Sequence, residues 1–266
     1  MEKQMLKCDI CGGNLKMQAN KEAVCESCGM AYSVESLKEK FDGLKVSVTG
    51  SRDDVEQWKT LVKTYLNQHD FIAAEGTVKK ILEAAPSDEF ANNMYSLLQE
   101  WKYLEIVNGV LIKYRGKADS IALPDGIKTI GKAAFRESPI HSIDLPATIE
   151  RIEDVAFESC AILSTIDLSY VHYLGFGCFR YCHSLSRVTL SQEIALIPDD
   201  VFKGTALIEI VIPSKVKRVR ARAFESCSSL KKVSFPYNLE SIDSDAFIYC
   251  LNLTSVSIFP PPESRL

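Results

Sequence analysis

Four cysteines near the start of the chain have the types and spacing to do chemistry together. Cys8 and Cys11 form CDIC, Cys25 and Cys28 form CESC, and 13 residues separate the two pairs. Two CxxC pairs at this distance have the ligand spacing of a tetrahedral site in which four thiolates hold one metal ion. Gly12 and Gly29 follow the second cysteine of each pair, where a tight knuckle favours a residue tolerant of positive φ. Leu15, Met17, Val24 and Tyr32 are spaced to shield the ion. The expected cofactor is one structural zinc, because four thiolates leave no open position for substrate. Iron fits the same spacing and is the alternative. A redox dithiol is not expected, since no βαβ pattern surrounds either pair.

This arrangement resembles a zinc ribbon, expected over residues 5–33. Many zinc ribbons bind nucleic acid, which rests largely on neutralising phosphates. Residues 1–45 carry seven lysines against seven acidic residues, so a nucleic-acid-associated regulator is the weaker functional reading. The whole chain, 266 residues with a formal charge of −4, offers no general attraction to nucleic acid or anionic membrane. At 46% hydrophobic and 25% charged residues it reads as globular and not disordered. No apolar run is long enough for a membrane helix, and MEKQMLKCDI lacks the apolar core of a signal peptide. The expected location is cytoplasmic.

Residues 34–52 read as a linker, and a helical pattern covers 53–103. Trp58, Leu61 and Tyr65 recur at helical spacing, followed by Ala74, Val78, Ile81 and Pro86. This resembles one tetratricopeptide unit, although Val62 stands where that motif usually has glycine. Ser87 or Asp88 can cap a third helix running to about Trp101. One such unit is below the roughly three needed for independent stability. The helices are therefore expected to cap the domain that follows, with a peptide-binding groove as the alternative.

Residues 104–266 are dominated by self-similarity. Phe135, Phe157, Phe179, Phe202, Phe224 and Phe247 are spaced by 22, 22, 23, 22 and 23 residues. Upstream of each phenylalanine lies a strand-like segment such as IHSIDLP, LSTIDLS, LSRVTLS, LIEIVIP or LKKVSFP. These segments alternate apolar and polar residues, as a half-buried strand does. One coil cannot bury its apolar face alone; stacked coils can. The phenylalanines should then form a continuous ladder. The Asn108-Gly109 pair suits a type I′ hairpin turn at the head of the array.

The units L-x-x-I-x-L and A-F-x-x-C resemble the BspA-type leucine-rich repeats over about residues 104–259. That resemblance implies a solenoid with a parallel, β-lined concave face and an interaction role, often at bacterial surfaces. The fold class expected for the chain is α+β and multidomain: zinc ribbon, short helical unit and leucine-rich repeat solenoid. The leading function is a non-enzymatic intracellular protein-binding module of unidentified partner, with a bacterial surface adhesin-like protein as a further alternative.

Aligned coils turn single residues into columns. Ser138, Cys160, Cys182, Thr205, Cys227 and Cys250 follow each phenylalanine by three residues, which reads as a packing column. Cys178 occupies the small-residue position beside Phe179. The basic run Lys215, Lys217, Arg218, Arg220 and Arg222 lies one coil from acids. Lys217, Arg220 and Arg222 should face Glu240, Asp243 and Asp245, while Lys215 and Arg222 face Glu193 and Asp200. Arg187, Glu209 and Lys232 form an outward row of alternating sign. Beside it, Asp144 and Asp167, flanked by Ser142 and Thr165, put like charges on neighbouring strands and are the candidate contact for a cationic group of a partner.

His69, His141, His172 and His183 are scattered, and no Walker-type loop, nucleophile elbow or HExxH motif occurs, so no catalysis is expected. The GxG of Gly175 and Gly177 reads as a turn. The last strand, near LTSVSIF, leaves an edge that a second copy can pair with, giving a homodimer.

Overall fold

The computed structural model describes residues 15–17, 22–25, 27–28, 31–33 and 52–259. The chain divides into two compact units, 1–49 and 50–266. In the first, β1 (Leu15–Met17), β2 (Glu22–Cys25) and β3 (Ala31–Ser33) form an antiparallel sheet in that order. Cα pairs set Leu15 against Cys25 and Val24 against Ala31. Of the expected linker 34–52, residues 34–51 lie outside the described residues, and Arg52 already opens a helix.

The second unit begins with α1 (Arg52–Asn67), α2 (Phe71–Ala84) and α3 (Glu89–Trp101). Asp70 and Asp88 cap α2 and α3, accepting hydrogen bonds from the backbone N–H of Ala73 and Ala91. Asp88 also pairs with Lys59 Nζ at 2.7 Å, fastening α1 to the start of α3. The inner faces carry Val55 and Val62, then Phe71, Ala74, Val78 and Ile81, then Ala91, Leu98 and Trp101. Here the expectation for Leu61 needs correcting. It is 39% exposed and Val62 is the fully buried residue, while Trp58 and Tyr65 pack against the core, so the inner stripe of α1 runs through Val55, Trp58, Val62 and Tyr65.

The helices cap the array. Trp101 Nε1 donates to the carbonyl of Ala122 at 2.7 Å, and the Phe71 and Trp101 rings lie 5.6 Å apart. One continuous core runs from Val55 to Ala246.

A hairpin of β4 (Leu104–Val107) and β5 (Val110–Tyr114) opens the repeats. Asn108 and Gly109 both take positive φ (50° and 73°), as a type I′ turn requires. Then come β6 (Ser120–Ala122), β7 (Thr129–Ile130), β8 (Ser142–Asp144), β9 (Arg151–Ile152), β10 (Thr165–Leu168) and β11 (Tyr173–Leu174). The array continues with β12 (Arg187–Leu190), β13 (Leu196–Ile197), β14 (Glu209–Val211), β15 (Arg218–Val219), β16 (Lys232–Pro236), β17 (Ser241–Ile242) and β18 (Ser255–Phe259). From β6 onward the even-numbered strands form one face, the long-strand face, and the odd-numbered strands a second, which β5 and its hairpin partner β4 head. All of these repeat ladders are parallel.

The expected phenylalanine ladder is present. Rings from Phe135 to Phe247 stack coil on coil with centroids 4.9–5.7 Å apart. Tyr114 adds a tilted ring 5.2 Å before Phe135. Two backbone columns flank the ladder in the left-handed region. Two residues before the phenylalanine stand Ala133, Val155, Gly177, Asp200 and Arg222; two residues after stand Glu137, Ser159, Tyr181, Gly204, Ser226 and Tyr249.

The cysteine column does more than fill space. Cys160, Cys182 and Cys227 are buried, Cys250 half-buried, and each thiol donates at 3.0–3.1 Å to the carbonyl of the phenylalanine one coil back. Thr205 binds the carbonyl of Phe202 in its own coil at 2.8 Å.

Candidate functional site

The thiolate pairs are placed as follows. Cys25 is the last residue of β2 and is buried; Cys28 sits exposed in the turn after it. Because Leu15 opposes Cys25, β1 starts at the sheet end where β2 delivers these two cysteines. That arrangement suits a thiolate donor set for zinc. Cys8 and Cys11 lie outside the described residues.

On the long-strand face, Asp144, Asp167 and Thr165 are exposed and Ser142 is half-buried, on β8 and β10. Asp167 Oδ1 accepts hydrogen bonds from the backbone N–H and hydroxyl of Ser169, which hold its carboxylate at the strand end. Beyond it in register comes Thr189, then Val211 on the next strand but across a gap.

That gap was not legible in the repeat pattern. The long-strand face is laddered in three pieces, β6-β8, β10-β12 and β14-β16-β18. Between β12 and β14 lies a cleft of about 470 Å³, lined by Ser186 to Leu190, Gln192 and Ile208 to Val211. Val188 is half-buried there, although its counterparts Ile143, Ile166, Ile210 and Val233 are buried. Val211 is 57% and Ile208 51% exposed at the rim.

Charge compensation in the basic run is present with one exchange of partners. Lys215 pairs with Glu193, Arg222 with Asp200 at 2.8 Å and Asp245 at 3.9 Å, and Arg220 with Asp199 at 3.5 Å and Asp243 at 3.9 Å. Lys217 does not pair with Glu240. Its Nζ donates to the carbonyl of Asn238 at 3.2 Å, and Arg218 approaches Glu240 instead at 3.9 Å. A second such line runs along the residues after each phenylalanine. The nearly buried carboxylate of Glu158 holds Arg136 and Arg180, and Lys203 pairs with Glu225 at 2.7 Å. Arg222 is held above the usual guanidinium range by the hydrogen bond it donates to Asp200 and by the acidic charge around it.

Neither glycine of the GxG is catalytic. A Cβ on Gly175 would stand 2.4 Å from the backbone nitrogen of Asp154, and Gly177 takes φ 54°. Cys178 is fully buried, and burial pushes its thiol well above the usual range, the reverse of an activated nucleophile. Ser164 Oγ lies 3.4 Å from His141 Nε2 but as close to the His141 carbonyl, and among the described residues no acid orients that imidazole.

The profile of the BspA type leucine rich repeat region matches residues 112–228 and 168–263, more than half of the chain. The chain belongs to this family. Such repeats generally serve as non-enzymatic binding modules. Among solved structures, the chain is similar to a leucine rich cell surface protein of Faecalibacterium prausnitzii A2-165, at 24% identity with a TM-score of 0.43. It is also similar to leucine-rich repeat proteins of Eubacterium ventriosum (18%, TM-score 0.49) and Bacteroides ovatus (25%, TM-score 0.38). The matches cover 57%, 59% and 53% of this chain, which spans 35%, 49% and 49% of theirs. A comparison with curated proteins finds no match. Within the BspA-type array, the core columns that recur from coil to coil build the scaffold, and the outward residues of the long strands differ between coils.

Proposed function

We propose that this BspA-type chain is a non-enzymatic protein-binding module whose long-strand face receives the partner. The observation that carries the reading is the open row on that face: Asp144, Asp167, Thr189 and Val211 are all exposed, and among the described residues no element covers them. Asp144 and Asp167, with Ser142 and Thr165, offer a cationic partner group two adjacent carboxylates. Val211 and Ile208 offer apolar contact at the cleft. Capture with the full chain tests this: Val211→Glu should lose the bound proteins, and Asp144→Asn with Asp167→Asn should weaken them. Unchanged capture by all of these variants would remove the face from consideration.

Cys8, Cys11, Cys25 and Cys28 hold one structural zinc in this reading. Its support is the thiolate donor set and the delivery of Cys25 and Cys28 to the sheet end at which β1 begins. Cys11 precedes Leu15 by four residues, a reach of up to about 14 Å. The resemblance of residues 53–103 to a tetratricopeptide unit is carried by α1 and α2, and the cap contact with the first coil is made through Trp101 of α3. A cytoplasmic location is supported by the core cysteines Cys160, Cys182 and Cys227, whose buried thiols each donate to a backbone carbonyl. Homodimerisation is the second use of the array: β18 exposes Val256 and Ile258 at 61% and 70%, and among the described residues no strand pairs its outer edge.

A further inference from the structure

We propose that Cys227 and Cys250 form a site of oxidative modification, at which hydrogen peroxide joins the last two coils by a disulfide. The site lies in the core column and does not depend on the binding face. Both residues are free thiols in the structure, and each follows the phenylalanine of its coil by three residues. The two coils are held in close register around them. Phe224 and Phe247 stack with centroids 4.9 Å apart, and the Ser226 N–H donates to the carbonyl of Ile248 at 2.9 Å. One oxygen touches both members of the pair: the Phe224 carbonyl accepts the Cys227 backbone N–H at 3.2 Å and the Cys250 thiol at 3.0 Å. Cys250 Sγ therefore leans into the coil that carries Cys227. One coil earlier, the same column brings Thr205 Oγ1 to 3.2 Å from Cys227 Sγ, so side chains of this column reach one another between coils. A coil spacing of about 4.8 Å lies within the roughly 4.4–6.8 Å between Cα atoms that a disulfide spans.

Access selects this pair. Cys160 and Cys182 are also neighbours in the column, but both are fully buried. Cys250 is half-buried, because β18 ends its ladder and no described strand lies beyond it. The same opening shows at Val256 and Ile258, which are exposed although Val233 and Phe235, their partners one coil back, are buried. The hydrogen bond with Cys227 lowers the Cys250 thiol below its ordinary value, while that bond and burial raise Cys227. Cys250 is thus the reachable, more easily ionised sulfur, and Cys227 stands behind it. The Cys250 thiolate attacks the peroxide O–O bond and takes one oxygen as a sulfenic acid; the other oxygen leaves and is protonated to water. The Cys227 sulfur then attacks the Cys250 sulfur, an S–S bond replaces the S–O bond, and the Cys227 proton departs with that oxygen as a second water. Two electrons pass from the sulfurs to the peroxide. The bond staples the most open coil to the array.

The test treats the full chain with hydrogen peroxide, blocks the remaining thiols with N-ethylmaleimide and maps tryptic peptides by mass without reductant. Peptides 223–231 and 233–265, whose only cysteines are Cys227 and Cys250, should appear as one linked species that dithiothreitol separates. Cys160 and Cys182 should remain alkylated thiols in the same sample. Cys227→Ser should leave Cys250 as a sulfenic acid that dimedone traps, and Cys250→Ser should leave Cys227 as unreactive as Cys182. Amide exchange in β18 should be slower in the linked protein than in the reduced one. Linkage of Cys160 to Cys182 as fast as that of Cys227 to Cys250 would overturn the proposal. So would oxidation of Cys250 to the sulfinic acid without linkage, or thiols at both positions after a treatment that fully oxidises glutathione.

Discussion

Trp101 Nε1 donates a 2.7 Å hydrogen bond to the carbonyl of Ala122, tying the last residue of α3 to the end of β6. The same indole packs on Phe71, so the helical cap and the first coil share one apolar core. Trp101→Phe should cost about 1–2 kcal/mol from the lost bond, and Trp101→Ala about 3–5 kcal/mol. In calorimetry the helices and repeats should unfold in one transition, and that transition should move as a whole with each variant. A separate early transition for the helices would show that they do not stabilise the array.

Val155 stands at φ 52°, in a column where the next coil places Gly177 at φ 54°. A β-branched residue is disfavoured there by about 1–2 kcal/mol. Val155→Gly should therefore stabilise the protein by about 0.5–1 kcal/mol in denaturant unfolding, once the extra freedom of glycine in the unfolded chain is subtracted. The reverse change, Gly177→Val, should destabilise, because its Cβ would lie 2.9 Å from Cδ of Arg180.

The array itself was legible because a 22–23-residue period and one phenylalanine per coil leave few other ways to bury the apolar face. The cap was legible from the helical spacing of Trp58 and Tyr65, both of which pack against the core, but not in detail: Val62, not Leu61, is fully buried, since α1 packs against α2 along a stripe that passes beside Leu61. The charge columns were legible to within one residue. Lys217 precedes β15 and turns toward Asn238, leaving Glu240 to Arg218, a choice made by side-chain direction and not by spacing. The cleft between β12 and β14 had no signal, because both strands carry the ordinary repeat pattern and only the missing ladder separates them.

The buried thiols tie stability to alkaline pH. Burial pushes Cys178 up; Cys182 and Cys227 are raised by the neighbouring thiols Cys160 and Cys250 together with burial. A folded-state value above the unfolded one leaves stability intact below the ordinary thiol range, about pH 8.5, and removes it as pH rises further. The fully buried Cys178 should contribute a slope of up to about 1.4 kcal/mol per pH unit above that point, while the lowered thiol of Cys250 works against the raised one of Cys227 beside it. Chemical denaturation at pH 8 and 10 should show the loss, and Cys178→Ala should reduce its slope. A flat profile would mean that these thiols ionise as easily folded as unfolded.

Metal analysis of purified protein should find about one zinc per chain, lost on Cys25→Ala and on Cys8→Ala alike. The thermal transition of the repeats should be unchanged in both variants, because the cysteines of the repeat column are engaged with phenylalanine carbonyls and not with metal. Iron in place of zinc would change the cofactor, and no metal at all would remove the ribbon.

The central claim is that partners bind the long-strand face. Hydrogen exchange on the full chain, free and with a captured partner, measures it most directly. New protection is expected in β12 and β14, at residues 187–190 and 209–211, with the short strands at 196–197 and 218–219 unchanged. Protection confined to the short strands, or to the helices at 52–101, would contradict it.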